Sequence, residues 1–482
     1  MFCLPIRPSC AWTIGVVMVL GTGCQHYEPR PLDLDAHRDA WRARGPGDDS
    51  VQAFASQLGE SHLDAAFDPA DGLTLAEGEL VALVYNPDLR LARLRVGVAA
   101  ATVEHATVWA DPEFSLDFLR ITEAVSDPWV MTPGLALTIP ISGRLEAEKA
   151  RADAALRVAL VEVAEAEWDA RVRLRGAWVQ WSAAVYRAEQ IEWLLDAIGP
   201  LVDSTARLAE VGELQPTEAG LFAIEQASQR QALLEARGNA AAWSQKVRAL
   251  MGLSPEAPVT CLPMLRLEPG KDEPAANLEL GRLAEAYEVA EHTLLREIRR
   301  QYPDLVIGPL YERDQGQSRI GFFGSLPLPV FNANTQAIAE AKASREVARA
   351  AYEIAYERIE GELAAVNARL ATATEQRRLL ESSVVPLVDR QLATATRLFE
   401  LGEGGVLVLL ESIVQTGRTR LALINARERE SLAVAGVAAV GAPPQAHSSS
   451  GLTTEGLPSE ESPAGESPSG AEPVINALEV IP

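Results

Sequence analysis

Two stretches of this chain are too long and too free of helix breakers to fit inside an ordinary globular domain. From Arg144 to Ile198 there is no proline and one glycine, Gly176; from Asn334 to Val385 there is again no proline and one glycine, Gly361. Both are rich in Ala, Leu, Glu and Arg, which lose little on entering a helix. At about 1.5 Å per residue each predicts a helix of roughly 75–80 Å. No single compact core covers a helix of that length. It has to pack along its whole extent against other helices, as in a coiled coil or helical barrel, and the abundant alanines permit close approach. Shorter helical patterns run from Thr217 to Leu253, Leu278 to Arg300 and Val406 to Val440.

Two regions break that pattern with a period of two. Between Pro112 and Ile141, Phe114, Leu116 and Phe118 alternate with Ser115 and Asp117; after a turn at Asp127-Pro128, Leu135, Leu137, Ile139 and Ile141 alternate with smaller residues. Between Pro303 and Val330, Leu305, Ile307 and Tyr311 share one parity, and Ile320, Phe322, Leu326, Leu328 and Val330 form a second run. Alternation of this kind predicts one β-hairpin in each region. Strands of about ten residues also have the reach of a tilted membrane strand.

The helices and hairpins occur twice. Pro112-Glu113 matches Pro303-Asp304 at an offset of 191, Pro140-Ile141 matches Pro329-Val330 at 189, and RLAEVGE (Arg207 to Glu213) matches RLFELGE (Arg397 to Glu403) at 190. PLVD recurs at Pro200 and Pro386 with an offset of 186, which predicts four extra residues in the second copy between those landmarks. A period this long means duplication of a half-protein rather than a solenoid repeat.

Composition removes several function classes. With 67 acidic against 43 basic residues the formal charge is −24, which repels phosphate backbones, so no nucleic acid is expected as a partner. The four cysteines (Cys3, Cys10, Cys24, Cys261) form no CxxC pair, and the six histidines are scattered without an HExxH string. There is no Walker A string. Gly402-Glu403-Gly404-Gly405 follows a helical pattern, as a helix-to-helix turn does, rather than a strand, as a phosphate loop would. No catalytic residues, no metal ligands and no cofactor are expected, and the protein is read as a non-enzyme.

Both ends carry their own signals. Arg7, the apolar run Ala11–Leu20 and the small residues Gly21, Thr22 and Gly23 have the layout of an export signal over residues 1–23. Cys24 then stands where a bacterial lipobox places its lipidated cysteine, although Leu20 lies four residues before it rather than three. An ordinary secretory signal with an incidental cysteine is the alternative. Residues 24–72 are read as a lipid-anchored extension, 73–270 as the first repeat and 271–440 as the second. Residues 441–482, rich in Pro, Ser, Gly and Glu, are read as a disordered acidic tail, because they hold too little apolar surface to offset their ordering entropy.

With these landmarks in order, the sequence resembles the TolC-like outer membrane efflux proteins, in their lipoprotein branch. The resemblance is carried by Asn86-Pro87-Asp88-Leu89, Asp111-Pro112-Glu113, LTIPISGRLEAEKARADAAL (Leu137 to Leu156), LPLPVFNANTQAIAEAKA (Leu326 to Ala343), RRLLESSVVPLVD (Arg377 to Asp389) and the LGEGG turn at Leu401 to Gly405. It implies a mainly α chain with a membrane β-barrel part, in which each of three identical chains contributes four strands to a twelve-stranded barrel and long helices to a periplasmic tunnel. The implied partners are outer membrane lipid, a periplasmic adaptor and an inner-membrane pump. The implied function is a passive exit duct for small molecules or metal ions, driven by that pump through the adaptor; a duct for protein secretion and a periplasmic coiled-coil lipoprotein are the alternatives. The membrane residues would be Phe114, Leu116, Phe118, Leu135, Leu137, Ile139, Leu305, Ile307, Phe322, Leu326 and Leu328, with Leu135, Leu137, Ile139 and Phe322, Leu326, Leu328 towards lipid. Trp109, Trp129, Tyr302 and Tyr311 would lie near strand ends, where an aromatic girdle sits. The periplasmic tip and adaptor-docking residues would be Arg207, Gly212, Glu213, Glu218, Arg397, Gly402 and Glu403. Val408 departs from an acidic residue common in that family; the first copy keeps Glu218 there.

Overall fold

The computed structural model describes residues 26–58, 67–268, 277–314 and 316–441. The export signal, Cys24 and all but the first residue of the expected tail therefore lie outside the described residues. The chain divides into two units, Met1–Arg44 and Gly45–Pro482. In the first, helix α1 (Leu34–Arg42) is capped by Asp33, whose carboxylate accepts the Ala36 N–H at 2.9 Å.

The second unit holds α2 (Asp49–Leu58), α3 (Leu75–Tyr85), α4 (Pro87–His105), β1 (Glu113–Arg120), β2 (Trp129–Ile139), α5 (Arg144–Glu210) and α6 (Pro216–Leu250). It continues with α7 (Leu278–Arg299), β3 (Leu305–Asp314), β4 (Gln317–Ser325), α8 (Thr335–Leu379), a π-helical turn (Leu380–Val384), α9 (Val385–Glu400) and α10 (Val406–Val440). The duplication is structural: helix, hairpin, long helix, turn and helix occur in that order twice. Both long helices leave their hairpins through a left-handed residue, Gly143 (φ 70°) in one copy and Asn334 (φ 56°) in the other. Among the described residues, no helix is long and apolar enough to cross a membrane.

Helix α5 runs 67 residues, about 100 Å, and continues past Ile198 through Gly199 and Pro200. The proline costs one backbone hydrogen bond. It is tolerated because Pro200 and Asp196, whose carbonyl loses its donor, both lie exposed, while Ile198 and Leu201 are buried on the other side. In the second copy the comparable proline, Pro386, follows the π-turn, where the ladder is already re-spaced. The four extra residues expected there do not lengthen the copy. Segments of 45, 5 and 16 residues together fall one residue short of the 67 of α5, so the PLVD mismatch marks a proline moved by about one turn.

The strands form one antiparallel sheet in the order β1-β2-β3-β4. The second hairpin is shorter than the alternation predicts. Strand β4 stops at Ser325, so Leu326 and Leu328 lie beyond the sheet rather than in it. Pro327 and Pro329 explain this, since neither has an N–H to give to a ladder.

The main core gathers where α3, α5 and α6 meet. Trp178, fully buried, packs with Leu73, Val81, Leu174, Val247, Met251 and Leu253, and its indole N–H donates to the Leu262 carbonyl at 3.0 Å. The segment after α6 is held down by hydroxyls: Ser182 Oγ accepts the Met264 N–H at 2.9 Å, and Ser431 Oγ donates to the Leu265 carbonyl at 2.6 Å. Asn86, which the resemblance singles out, is a joint. Its Oδ1 caps α4 by accepting the Asp88 and Leu89 N–H groups, and its Nδ2 donates to the Leu250 carbonyl at 2.9 Å. Beside it Gly252 has φ 74°, and a Cβ there would stand 2.1 Å from the Tyr85 carbonyl oxygen.

This geometry predicts opposite outcomes for two glycine-to-alanine changes. Gly252→Ala should lower stability by more than about 2 kcal/mol, from left-handed strain and backbone collision together. Gly238→Ala, inside α6 with open space around it, should raise it by about 0.5–1 kcal/mol. Denaturant midpoints of the two variants against the parent check the pair.

Candidate functional site: the sheet, its junction and the helix turns

The registers sort the strand residues into two faces. Phe114, Leu116 and Phe118 stand opposite Leu135, Pro133 and Met131, and Leu137 stands opposite Ile307. Pro309 and Tyr311 in turn stand opposite Phe322 and Ile320. These residues, with Ile139 and Leu305, make one apolar face across all four strands. It lies open, with Phe114 70%, Ile320 82% and Phe322 86% exposed. The other face carries Glu113, Ser115, Asp117, Thr132, Thr138, Glu312, Asp314 and Arg319, with Arg319 paired to Glu312 at 3.8 Å. Strands of 8 to 11 residues at about 3.3 Å each are long enough for a tilted crossing of hydrocarbon. The outer edges of β1 and β4 have no strand partner among the described residues.

Every strand residue expected to face a membrane falls on this one face, apart from Leu326 and Leu328. Ile320, in the hairpin by its alternation but not among the expected membrane residues, shares this face; its parity with Phe322 is the signal for it. Trp129 opens β2 and lies under the Arg120 guanidinium, 5.7 Å from the ring centre. Tyr311 sits inside β3, three residues from its end, where its hydroxyl pairs with Ser318 Oγ at 2.9 Å. Trp109 and Tyr302 precede β1 and β3 by a few residues, on the helical side.

At the opposite end of the sheet, where strands pass into helices, a charge network ties the joints together. Arg144, the first residue of α5, pairs at 2.8 Å with Asp304, just before β3. Arg296 lies between Glu148 (2.9 Å) and Glu297 (2.7 Å). Glu297 is only 5% exposed, and its carboxylate also accepts from Asn334 Nδ2 at 2.8 Å and faces Arg300 at 3.3 Å. Burial pushes the Glu297 carboxyl up, but the hydrogen bonds from Asn334 and Arg296 and the charges of Arg296 and Arg300 outweigh it and hold the group below its ordinary value. Glu148 follows the same pattern: burial raises it, and Arg151 and Arg296 bring it net below the ordinary value. The landmark strings of the sequence contain Arg144, Glu148, Asp304 and Asn334, but nothing marks them as partners, because the pairs that join different elements lie far apart in the chain, Glu148 and Arg296 by 148 positions.

The two expected tip turns are built alike. At the first, Val211 ends α5, Gly212 turns left-handed (φ 78°), and the Gly212 and Glu213 N–H groups donate to the Ala209 and Leu208 carbonyls. At the second, Gly402 (φ 73°) and Glu403 donate to Phe399 and Leu398. Both are Schellman caps, which need a left-handed residue at the position glycine fills. Arg207, Glu213, Arg397 and Glu403 are exposed, while Glu218 and Val408 occupy the same place in the first turns of α6 and α10. Leu194, Ile198, Phe222, Leu409 and Ile413 form one core just behind the turns, so the two hairpins end side by side. Among the described residues no His, Cys, Asp and Glu cluster is arranged to hold a metal.

Residues 81–253, within the first copy, match the family model described as outer membrane efflux protein. A comparison with curated proteins finds no match. Solved structures do match: the outer membrane protein VceC of Vibrio cholerae has a TM-score of 0.62 at 18% identity, covering 77% of this chain and 96% of that one. The Campylobacter jejuni CmeC outer membrane channel has a TM-score of 0.63 at 15% identity, covering 76% and 85%. The open-state Neisseria gonorrhoeae MtrE outer membrane channel has 0.61 at 14%, covering 76% and 88%. The fold is that of these outer membrane channels, and the part of the chain at residues 81–253 is similar to the outer membrane efflux protein family.

The junction network predicts an acid-sensitive step in stability. Because the Glu297 and Glu148 carboxyls are held below the ordinary value of 4.5, their contribution is complete above that pH and is lost as pH falls through the lower folded values. Glu297→Gln should cost about 1–3 kcal/mol at neutral pH and flatten the stability profile below pH 4.5. Urea midpoints from pH 7 to pH 3 measure both effects; an unaltered acid limb would remove Glu297 from the account.

Proposed function

We propose that this chain is one of three identical subunits of a passive exit duct across an outer membrane. The observation that carries this reading is the four-stranded sheet with one continuous apolar face and two unpaired edges. A membrane strand cannot leave its N–H and C=O groups bare in hydrocarbon, at several kcal/mol each. β4 of one chain against β1 of the next removes every edge, and three chains give a closed barrel of twelve strands, within the range of membrane barrels. The apolar face then meets lipid and the charged face lines the passage. The helices carry the duct into the periplasm for about 100 Å, the length of α5.

Cargo for such a duct is small molecules or metal ions, and the driving force comes from an inner-membrane pump reached through a periplasmic adaptor. The adaptor docks at the turns around Gly212-Glu213 and Gly402-Glu403, where the passage also closes at rest. Anchoring at Cys24 by acylation adds a second hold on the membrane; mass spectrometry of the mature N-terminus would show a lipid-modified cysteine, and an unmodified terminus elsewhere would refute it. The same architecture could serve protein export, and identifying the pump encoded beside this protein separates the two. The coiled-coil scaffold reading is disfavoured by the exposed apolar sheet.

Purified protein in planar bilayers should conduct and run as a heat-modifiable trimer. Leu137→Arg or Phe322→Arg, on the apolar face, should each cost about 2–4 kcal/mol near mid-bilayer and cut trimer yield. A scaffold lipoprotein would show neither conductance nor this sensitivity.

At the tip, six carboxylates from Glu213 and Glu403 of three chains around a narrow opening repel one another and attract cations or donor groups. Glu213→Gln with Glu403→Gln keeps both glycines and therefore both caps. Trimers should form normally while closed-state conductance or adaptor cross-linking changes. If both readouts stay normal, the turns serve only as helix caps.

A further inference from the structure

The charged residues of the four strands are divided unevenly between the two faces. Glu113, Asp117, Glu312, Asp314 and Arg319 all fall on the polar face. The apolar face carries only Arg120 and Arg313, both cationic, both exposed, and both in the last rows of the sheet at the hairpin ends away from the helices. Trp129 stands directly opposite Arg120, and its strand neighbour Met131 stands opposite Arg313, so the two arginines flank β2. Neither is in an ion pair recorded among the described residues, and Arg120 instead lies over the Trp129 ring. Two strand spacings across and two residues along put their Cα atoms roughly 12 Å apart.

We propose that Arg120 and Arg313 form a binding site for the phosphates of an anionic lipid in the outer leaflet. This rests on the duct reading, which sets the apolar face in lipid with the hairpin ends outermost. The occupant follows from the surroundings. Phe118, Tyr311 and Ile320 below the arginines fit acyl chains, the indole of Trp129 suits the headgroup boundary, and each guanidinium can take a phosphate by two parallel hydrogen bonds. The spacing favours a lipid with two phosphates over one with a single phosphate. A rim that only needed to reach water would gain nothing from phosphate.

The test titrates diphosphoryl lipid A, monophosphoryl lipid A and inorganic phosphate into the detergent-solubilised full-length trimer and follows its melting temperature. The diphosphoryl lipid should stabilise most, the monophosphoryl lipid less, and inorganic phosphate at matched concentration not at all. Arg120→Gln with Arg313→Gln should weaken apparent diphosphoryl lipid affinity by about tenfold or more, with the Lys pair in between. Equal stabilisation by both lipids, or an unaltered affinity in the Gln pair, overturns the proposal. A response to inorganic phosphate equal to that of the lipids assigns a free-anion site and overturns it too. If the Gln pair yields no trimer, the Lys pair and the lipid series on the parent decide. Conductance of the same preparations separates the two failures: a conducting trimer without lipid discrimination sinks this inference alone, while a non-conducting preparation sinks the duct and this site together.

Discussion

Backbone pairing is the constraint on which the rest of this protein turns. A sheet of four strands has two edges, and water pairs them freely while hydrocarbon does not. An exposed apolar face on such a sheet is a liability in solution and a requirement in lipid. Only closure with further strands meets both demands, and identical chains supply them at no cost in new sequence. In the proposed duct, trimerisation and membrane insertion would be one event rather than two, and the long helices, fixed to the strands at both ends of each hairpin, would inherit the symmetry.

Charged contacts tie the sheet to the helices at the joints. Arg144 with Asp304, and Arg296 between Glu148 and Glu297, lock α5, α7 and the start of β3 to one another, while Asn334 brings in α8. These contacts are charge-assisted and partly buried, which makes them geometrically demanding rather than merely adhesive. Further along α5, the core around Trp178 holds the helices at a second level, and the apolar cluster around Phe222 and Leu409 holds them at a third, behind the turns. Contacts at three levels thus hold α5 along its length.

The strings that made the sequence familiar prove to be mostly structural. Asn86 caps one helix and bonds the end of another. Gly212 and Gly402 supply the left-handed residue of two Schellman caps. The groups free to interact are their neighbours, Glu213 and Glu403, which face solvent. The motif shapes the two turns, and these differ where the motif ends, at Glu218 and Val408.

Local chemistry in the chain determined the long helices, the two hairpins and the duplication, because proline spacing, helix propensity and period-two alternation act over neighbouring residues. Element ends were less legible: Pro200 reads as a breaker, yet α5 runs through it, because buried Ile198 and Leu201 on the inner side outweigh one lost hydrogen bond on the outer. Leu326 and Leu328 read as strand by parity, but Pro327 and Pro329 deny the ladder its donors. Only the tertiary structure decided which faces coincide. The registers of β1 to β4 bring residues nearly two hundred positions apart onto one apolar surface, gather the charges on the other and leave two arginines alone at the rim. The junction pairs are invisible for the same reason, since an ion pair between Glu148 and Arg296 depends on how two helices lie together and leaves no periodicity in either.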